Sequence, residues 1–267
     1  MKSADIVIGI TTYDDISNSE TARAVYNILH QCDAQLTPEF INWHEPVNIP
    51  IETLETWSHY WMTDAVIRGQ GAPADIKIGA IWCRRRSVRS WGMVDHASGN
   101  NGNLDSTLIM RFNQKSGIDW FSLFSQLCAL LRPAHGMLHQ FPPQEKKMLD
   151  YNRFDSAVVG ERAFTGRVAK DGNKVFPDLR KRTWPRQFKY LPELAWANYL
   201  GPELSATYDA VAILNFAARA WPNERGVLFR ITDDFGDVTE DHERFSARRL
   251  ELRDCFVAGT FRRILPE

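Results

Sequence analysis

The stretch YLPELAWANYLGPE, residues 190–203, is the most distinctive part of this 267-residue sequence. Aromatic and aliphatic residues lie here between two prolines and a glycine, without a nucleophile, a histidine or a carboxylate pair. Its prolines and Gly201 set the direction of the chain. The apolar members of the segment favour a place in the core over a place at a binding surface, and they are Leu191, Leu194, Trp196, Tyr199 and Leu200. The segment therefore predicts a scaffold element, whereas functional residues are expected elsewhere.

Length and composition indicate an ordinary globular chain. Hydrophobic residues make up 44% and charged residues 24% of the sequence, which argues against disorder. We predict a single domain over residues 1–267, or two subdomains with a boundary near residues 142–155. Nine tryptophans indicate either large aromatic cores or an aromatic binding surface, and the core interpretation is favoured.

The net charge and the cysteines indicate which binding partners and which cellular compartment to expect. A net charge of −1 gives no global attraction to nucleic acid or to an anionic membrane. The four cysteines are far apart and form no C-x-x-C pair, which suits reduced thiols. No apolar run approaches the length of a membrane span, and the N-terminus lacks the pattern of a signal peptide. We expect a cytoplasmic protein.

The first half of the chain shows clear strand and helix patterns. Residues 5–13 alternate and are β-branched, which predicts a strand, and Ser17 with Glu20 has the spacing of a capping box. Further patterns predict a helix with Leu54, Trp57, Trp61 and Ala65 on one side, strands over 75–83 and 105–112, a loop over 98–103, and a helix capped by Ser116 and Asp119 that Pro133 ends. This order predicts an α+β fold with a mixed or mainly antiparallel sheet and packed helices.

The second half gives weaker patterns. The sequence PPQEKK at 142–147 is typical of a solvated turn or linker, and 170–173 of a hairpin turn. Residues 208–221 fit a buried helix or a strand equally well. Residues 226–232 predict a strand, and 239–255 predict a charged helix.

No standard catalytic or nucleotide-binding signature occurs in the sequence, so we predict no catalytic residue, no metal and no cofactor. Two weak chemical patterns remain. His135 and His139 have a spacing that places two imidazoles on one face, as in a metal site, but a third ligand is missing. Glu145 with Lys147 matches half of a restriction-nuclease site. Such a site also needs an aspartate on the neighbouring strand, and the nearest upstream ones are Asp119, which caps a helix, and Asp105, at the start of a strand.

Two charged clusters are candidates for partner binding. The first is the acidic segment, defined by Asp233, Asp234, Asp237, Glu240, Asp241 and Glu243. It lacks the glycine of a calcium loop and fits either a solvated loop or a negative surface for a basic partner. The second cluster places Arg85 and Arg89 beside Trp91, and it fits a nucleic-acid platform, a protein interface or a solvated loop.

The sequence YLPELAWANYLGPEL at 190–204 resembles the immunity proteins of bacterial polymorphic-toxin and type VI secretion systems. The similar families include the one encoded beside restriction-endonuclease-like toxins, and they share a proline, aromatic and GPE-type segment. A strand, an acidic turn and a charged terminal helix follow it there, comparable here to GVLFRITDDFGDV at 226–238 and the residues after it. The resemblance covers the last third of the chain.

The resemblance implies a protein that binds and neutralises a cognate toxin in the cell that produces it. The implied toxin is a nuclease that acts on DNA, and the implied family carries no catalytic residues. The alternative function is an enzyme with an unrecognised site, for which Asp95, His96, His135 and His139 are the candidate residues. A purely structural component that forms homo-oligomers is the third class.

Overall fold

The computed structural model describes residues 5–67, 74–96, 106–143, 145, 155–156, 167–168, 174–175 and 188–261. The strands are β1 (Asp5–Thr12), β2 (Phe40–Asn42), β3 (Ile49–Pro50), β4 (Met62–Ile67), β5 (Ala74–Gly79), β6 (Ile81–Arg84), β7 (Ser90–Asp95), β8 (Ser106–Asn113), β9 (His135–Phe141), β10 (Asp155–Ser156), β11 (Arg167–Val168), β12 (Lys174–Val175), β13 (Phe188–Tyr190), β14 (Ala197–Leu200), β15 (Arg219–Asn223) and β16 (Gly226–Arg230). The α-helices are α1 (Ser19–Cys32), α2 (Leu54–Trp61), α3 (Trp120–Leu131), α4 (Ala210–Phe216), α5 (Asp237–Glu240) and α6 (His242–Arg253), and 3-10 helices cover Ala34–Leu36 and Pro202–Thr207.

A ten-stranded antiparallel sheet organises the fold, which confirms the α+β prediction. Its strand order is β15-β16-β14-β9-β1-β8-β7-β6-β2-β3, so β1 lies in the middle between β8 and β9. Strands from before and after residues 142–155 meet where β9 pairs with β14. Most of the predicted boundary lies outside the described residues, and the choice between one domain and two subdomains stays a prediction.

Alternation along β1 creates the main core. Ile6, Ile8 and Ile10 are buried and belong to one large apolar cluster, which α1, α2 and α3 also join. Helix α1 contacts both α2 and α3, so the three helices form a layer on this face of the sheet. On the opposite face, α6 packs its Phe245 ring 5.5 Å from the His139 ring of β9. The sheet is thus covered by helices on both faces at β9.

The tryptophans lie mainly in the core, as composition predicted. Trp57, Trp61 and Trp82 are fully buried and contact one another, with ring centroids 5.1–6.0 Å apart. Trp120 and Trp196 are buried as well, whereas Trp221 is exposed. Trp184 lies outside the described residues.

The 190–203 segment belongs to the scaffold, as the sequence predicted. All five of its predicted core residues are buried, and β14 lies between β9 and β16 with each of its four residues buried. Gly201 ends the strand against residues 133–134, where a Cβ atom would lie 2.5 Å from the Pro133 carbonyl oxygen. Only glycine allows this close approach of two backbones.

Several predicted boundaries in the first half need correction. Asn18 rather than Ser17 caps α1, because its side-chain oxygen accepts from the Thr21 N–H group at 2.8 Å. Helix α2 ends at Trp61, and Ala65 belongs to β4. The predicted strand over 75–83 is two strands, since β5 pairs with β4 in a separate sheet and β6 enters the large one. Strand β7 was not predicted, and the predicted loop over 98–103 lies outside the described residues.

Predictions for the second half met mixed outcomes. Asp119 caps α3 as predicted, and that helix ends at Leu131. Residues 208–221 form a helix followed by a strand, which resolves the ambiguity as α4 and β15. The predicted helix over 239–255 is interrupted, because Asp241 separates α5 from α6 and caps α6. The predicted turn at 170–173 lies outside the described residues, although the flanking β11 and β12 pair antiparallel.

Candidate functional site

Glu145 contacts His139, so the structure brings together two residues that the sequence treated as separate weak candidates. Glu145 is 2% exposed, so the prediction of a solvated turn at this residue was wrong. Its Oε2 atom lies 2.7 Å from Nε2 of His139 on β9, and its Oε1 atom lies 2.8 Å from Nε2 of His242 on α6. Arg249 of α6 donates to Oε1 at 2.6 Å and to Oε2 at 3.3 Å. One carboxylate thus connects the sheet to the last helix.

Hydrogen bonding fixes the neutral tautomer of His139. The Trp196 backbone N–H group donates to Nδ1 at 3.0 Å, so Nδ1 carries no proton. Nε2 therefore carries the proton and donates it to Glu145. Burial lowers the pKa of His139 and keeps the ring neutral, although Glu145 acts in the opposite direction.

Glu145 stays ionised in this buried cluster. Burial alone would raise the pKa of its carboxyl group, but the hydrogen bonds from His139 and Arg249 and the positive charge of Arg249 hold that pKa far below its usual range. The carboxylate faces one guanidinium and two imidazoles, so its charge is compensated. The cluster therefore fastens α6 to the sheet, and it lies in the interior rather than in an open cleft.

The remaining enzyme candidates are separate from this cluster. His135 is buried on β9, and burial lowers its pKa to about 3. His96 is buried, and its Nε2 atom lies 2.8 Å from the Trp61 carbonyl oxygen, whereas Asp95 beside it is exposed. On a strand, four residues separate His135 from His139 by about 13 Å, too far to share one ion. Among the described residues, no group of three or more His, Cys, Asp or Glu residues could hold a metal.

Neutral buried histidines predict loss of stability in acid. The pKa of His135 and that of His139 are lowered in the folded state, so the unfolded chain binds more protons below about pH 6.5. The free energy of unfolding should be highest above pH 6.5. Below that pH it should fall by up to about 1.4 kcal/mol per pH unit for each of the two histidines. Urea denaturation at pH 8, 7, 6 and 5 measures the slope.

A matched pair of variants assigns this slope. His135→Gln removes one of the two buried groups and should make the curve shallower between pH 6 and 5. His30→Gln is the control, since that ring is exposed and should leave the slope unchanged. Equal slopes in wild type and His135→Gln would contradict the assignment.

The acidic segment forms a rigid negative surface. Phe235 packs 4.8 Å from the Trp196 ring, and Val238 and Phe245 are fully buried, so the backbone is held from both ends. Three of its acids serve the fold, because Asp233 pairs with Arg219 and Arg230, Asp234 accepts from the Gly236 N–H group, and Asp241 caps α6.

The other three acids are available to a partner. Asp237, Glu240 and Glu243 make no side-chain hydrogen bond or ion pair within the described part of the chain. Glu240 and Glu243 are exposed and Asp237 is half-buried. An anionic surface whose charges are not neutralised internally can attract and orient a cationic partner.

Trp91, Arg85 and Arg89 come together in a second surface feature. This arginine cleft has a volume of about 490 Å³ and is lined by Arg84, Arg85, Arg89, Ser90, Trp91, Arg111, Phe112 and Asn113. Trp91 and Arg111 are direct partners across β7 and β8, and both residues line the cleft. The cleft therefore contains four arginines from two parts of the chain.

Only part of this positive charge is neutralised. Arg84 pairs with Glu39 at 3.4 Å, and Arg85 donates to the Val47 carbonyl oxygen and lies over the Phe40 ring. Arg89 and Arg111 form no side-chain hydrogen bond or ion pair among the described residues, and the Nε atom of Arg111 is buried without a partner. The cleft can bind an anionic group.

Sequence reasoning missed Arg111, His242 and Arg249. Arg111 occupies an alternating strand position with no charged neighbour in sequence, and its role follows from pairing with β7. His242 and Arg249 reach Glu145 across 97 and 104 residues. Nothing near Glu145 in the sequence indicates that its partners lie about a hundred residues further along the chain.

Comparison with known proteins identifies a similar fold but no family. No profile of a known protein family matches the chain, and no curated protein gives a significant match. Among solved structures, the chain is similar to the Pseudomonas aeruginosa T6SS protein PA0821, with a TM-score of 0.53 and 12% sequence identity. The match covers 97% of this chain and 73% of that chain. The two proteins therefore share a fold across nearly the whole of this chain.

In the part of the chain that the structure describes, none of the helices combines the length and the apolar character that a membrane span requires.

Proposed function

We propose that this protein is a non-catalytic immunity protein that binds and neutralises a cognate secreted toxin inside the producing cell. The fold shared with a T6SS protein supports this class, as does the resemblance of residues 190–204 to toxin-system immunity proteins. The proposed toxin is a nuclease that acts on DNA, because such an enzyme presents a cationic surface to its anionic substrate.

The acidic segment carries the proposal. Asp237, Glu240 and Glu243, which are unpaired in the part of the chain that the structure describes, lie on a backbone that buried Val238 and Phe245 hold in place. A preformed anionic surface needs little ordering on binding, which favours fast and tight association with a cationic protein. The arginine cleft is the second candidate contact, since Arg89 and Arg111, which have no ion-pair partner among the described residues, can bind carboxylates of the same toxin.

Charge reversal of the acidic segment tests this function. The triple variant Asp237→Lys, Glu240→Lys and Glu243→Lys should slow association with the toxin about tenfold or more at low salt, because electrostatic steering is reversed. Stopped-flow or surface-plasmon kinetics at several salt concentrations measure this effect. Co-expression with the active toxin should also protect cells less than wild type does.

The control reverses the same number of acids elsewhere. Asp14, Glu20 and Glu52 are exposed and lie outside the acidic segment, so their change to lysine should leave the association rate nearly unchanged. Thermal unfolding of both triple variants verifies the fold. If purified wild-type protein neither binds nor neutralises the toxin encoded by the neighbouring gene, the proposed function is wrong.

A further inference from the structure

Two arginines of the arginine cleft lie on the same face of the sheet as Trp91. The Asn113 N–H group donates to the Arg89 carbonyl oxygen at 3.0 Å, which continues the pairing of β7 with β8 by one position. Residues two apart on a strand share a face, so Arg89 lies on the face of Trp91 and of its cross-strand partner Arg111. Arg89 and Arg111 are thus diagonal neighbours, a relation that spans about 7–8 Å and is within reach of long side chains.

These two arginines lack the partners that the other two arginines of the cleft have. Arg84 pairs with Glu39, and Arg85 donates to a backbone carbonyl oxygen and lies over an aromatic ring. Within the described ranges, Arg89 and Arg111 have no ion pair and no side-chain hydrogen bond, and the Nε atom of Arg111 is buried. Two guanidinium groups repel each other, and a buried N–H group without an acceptor costs free energy. An anion with several oxygens would remove both costs.

A phosphate monoester matches this pair of donors better than a carboxylate does. One guanidinium group satisfies a carboxylate through two parallel hydrogen bonds, so a carboxylate would leave the second arginine unpaired. A phosphate monoester carries a charge of about −1.5 to −2 at pH 7 and has three strong acceptor oxygens. It can therefore accept hydrogen bonds from Arg89 and Arg111 at the same time, and the planar guanidinium fork matches its geometry.

The size of the cleft and the position of Trp91 indicate a ligand larger than phosphate alone. The volume of about 490 Å³ lies in the range of small-molecule sites, which is about 300–1,000 Å³. Trp91 lines the cleft and is half-buried, and its indole contacts no other aromatic ring in the part of the chain that the structure describes. Nucleobases stack on the faces of such rings. The ligand is therefore expected to combine a phosphate with a planar aromatic group.

We propose that the arginine cleft binds a nucleoside monophosphate, with its phosphate between Arg89 and Arg111 and its base against Trp91. This inference goes beyond the proposed function, and it assigns to the cleft a ligand other than a toxin carboxylate. Asn113 is exposed on the same face, and its amide can form a hydrogen bond with the sugar or the base.

A single-stranded nucleic acid fits the cleft less well. A strand needs phosphate contacts that repeat along a groove, whereas the two unpaired arginines described here are neighbours and suit one phosphate group. Glu39 neutralises Arg84 and Arg86 at 3.4 and 3.2 Å, which removes further phosphate contacts from this loop. The net charge of −1 adds no general attraction to a polyanion.

Isothermal titration of the full-length protein with adenosine 5′-monophosphate at low salt tests the site. The dissociation constant should be about 1 mM or lower. Inorganic phosphate and adenosine should each bind at least about tenfold more weakly, because each makes only one of the two contacts. No binding of the monophosphate would overturn the site, and equal affinity for inorganic phosphate would overturn the contact of the base with Trp91. An unphosphorylated oligodeoxyadenylate that binds as tightly as the monophosphate would assign the cleft to nucleic acid instead.

Three variants separate the two contacts. Arg89→Gln with Arg111→Gln should raise the dissociation constant of the monophosphate about tenfold or more. Arg89→Gln alone, at an exposed position, should raise it about threefold or more and keeps the test valid if the double variant does not fold. Trp91→Leu should raise it about tenfold and should leave the affinity for inorganic phosphate within about twofold of wild type.

Arg86→Gln is the matched control for the arginine variants. Arg86 is exposed in the same loop and is not among the described residues that line the cleft, so its change should leave the dissociation constant within about twofold. Equal affinity of wild type and Arg89→Gln for the monophosphate would overturn the proposed phosphate contact.

The toxin distinguishes this inference from the proposed function. A wild-type protein that binds the monophosphate but not the toxin would overturn the proposed function alone. A wild-type protein that binds no monophosphate, and whose affinity for the toxin falls in Arg89→Gln, would overturn the nucleotide site and assign the arginine cleft to the toxin interface.

Discussion

Replacing Glu145 with alanine is expected to lower the free energy of unfolding by about 3–5 kcal/mol. The change removes the carboxylate that faces Arg249, which is 9% exposed, and leaves a buried guanidinium without its counter-charge. It also removes the acceptor of the His139 Nε2–H group. Urea denaturation at pH 7, monitored by tryptophan fluorescence, measures the difference.

Two further variants separate charge compensation from simple loss of packing. Changing Glu145 to leucine and Arg249 to methionine together removes both charges and should recover part of the stability, because no buried guanidinium is left without its counter-charge, although the His139 Nε2–H group still lacks its acceptor. Glu55→Ala breaks the ion pair between Arg23 and Glu55, whose side chains are 51% and 73% exposed, and should cost less than about 1 kcal/mol. A loss for Glu145→Ala as small as that of Glu55→Ala would contradict the buried role of Glu145.

Replacing Trp57 with alanine is expected to destabilise the protein by about 3–5 kcal/mol. The indole is fully buried against the rings of Trp61 and Trp82, so its removal leaves a cavity in the helical layer. Its Nε1–H group donates to the Ala22 carbonyl oxygen at 2.6 Å, and that hydrogen bond would be lost as well. Denaturant unfolding of the variant measures the loss.

Trp221 provides the matched control for the tryptophan prediction. Its side chain is 39% exposed on the edge strand β15, so Trp221→Ala should cost only about 1 kcal/mol. Trp57→Phe is an intermediate step, because it keeps a ring in the cavity and loses the hydrogen bond to Ala22. The order Ala, Phe, wild type at position 57 should appear as increasing stability, and a different order would contradict the account of this core.

Local signals in the sequence were reliable where a single element satisfied them. The β-branched alternation of β1 and the Asp119 cap of α3 depend on neighbours within a few residues, and the structure has both. Strand β7 was missed because Gly92 interrupts its apolar pattern, and the reason for that glycine is tertiary. A Cβ atom at Gly92 would lie 2.3 Å from the buried Trp82 ring. The break at Ala80 was missed because one β-rich run gives no sign of two sheets.

Of the candidate sites, only those whose residues are close together in the sequence could be predicted. Acids close together in sequence stay close in space, so the acidic segment could be found without a structure. Sequence reasoning gave the role of Glu145 wrongly, because its partners His242 and Arg249 lie on the last helix. The exposure of Leu214 and Leu250 could not be predicted either, since both look like core residues until the packing shows that they face solvent.

The position of β9 has a consequence for how the chain reaches its native state. All seven of its residues are buried, yet its outer neighbour β14 begins only at Ala197, and the Trp196 N–H group meets His139 across 57 residues. During synthesis, β1 and β8 can pair with each other and with β9 well before β14 emerges from the ribosome. For that interval β9 is an uncovered strand edge, the kind of surface that can pair with other chains. Docking of the last third of the chain is therefore the step that protects this edge.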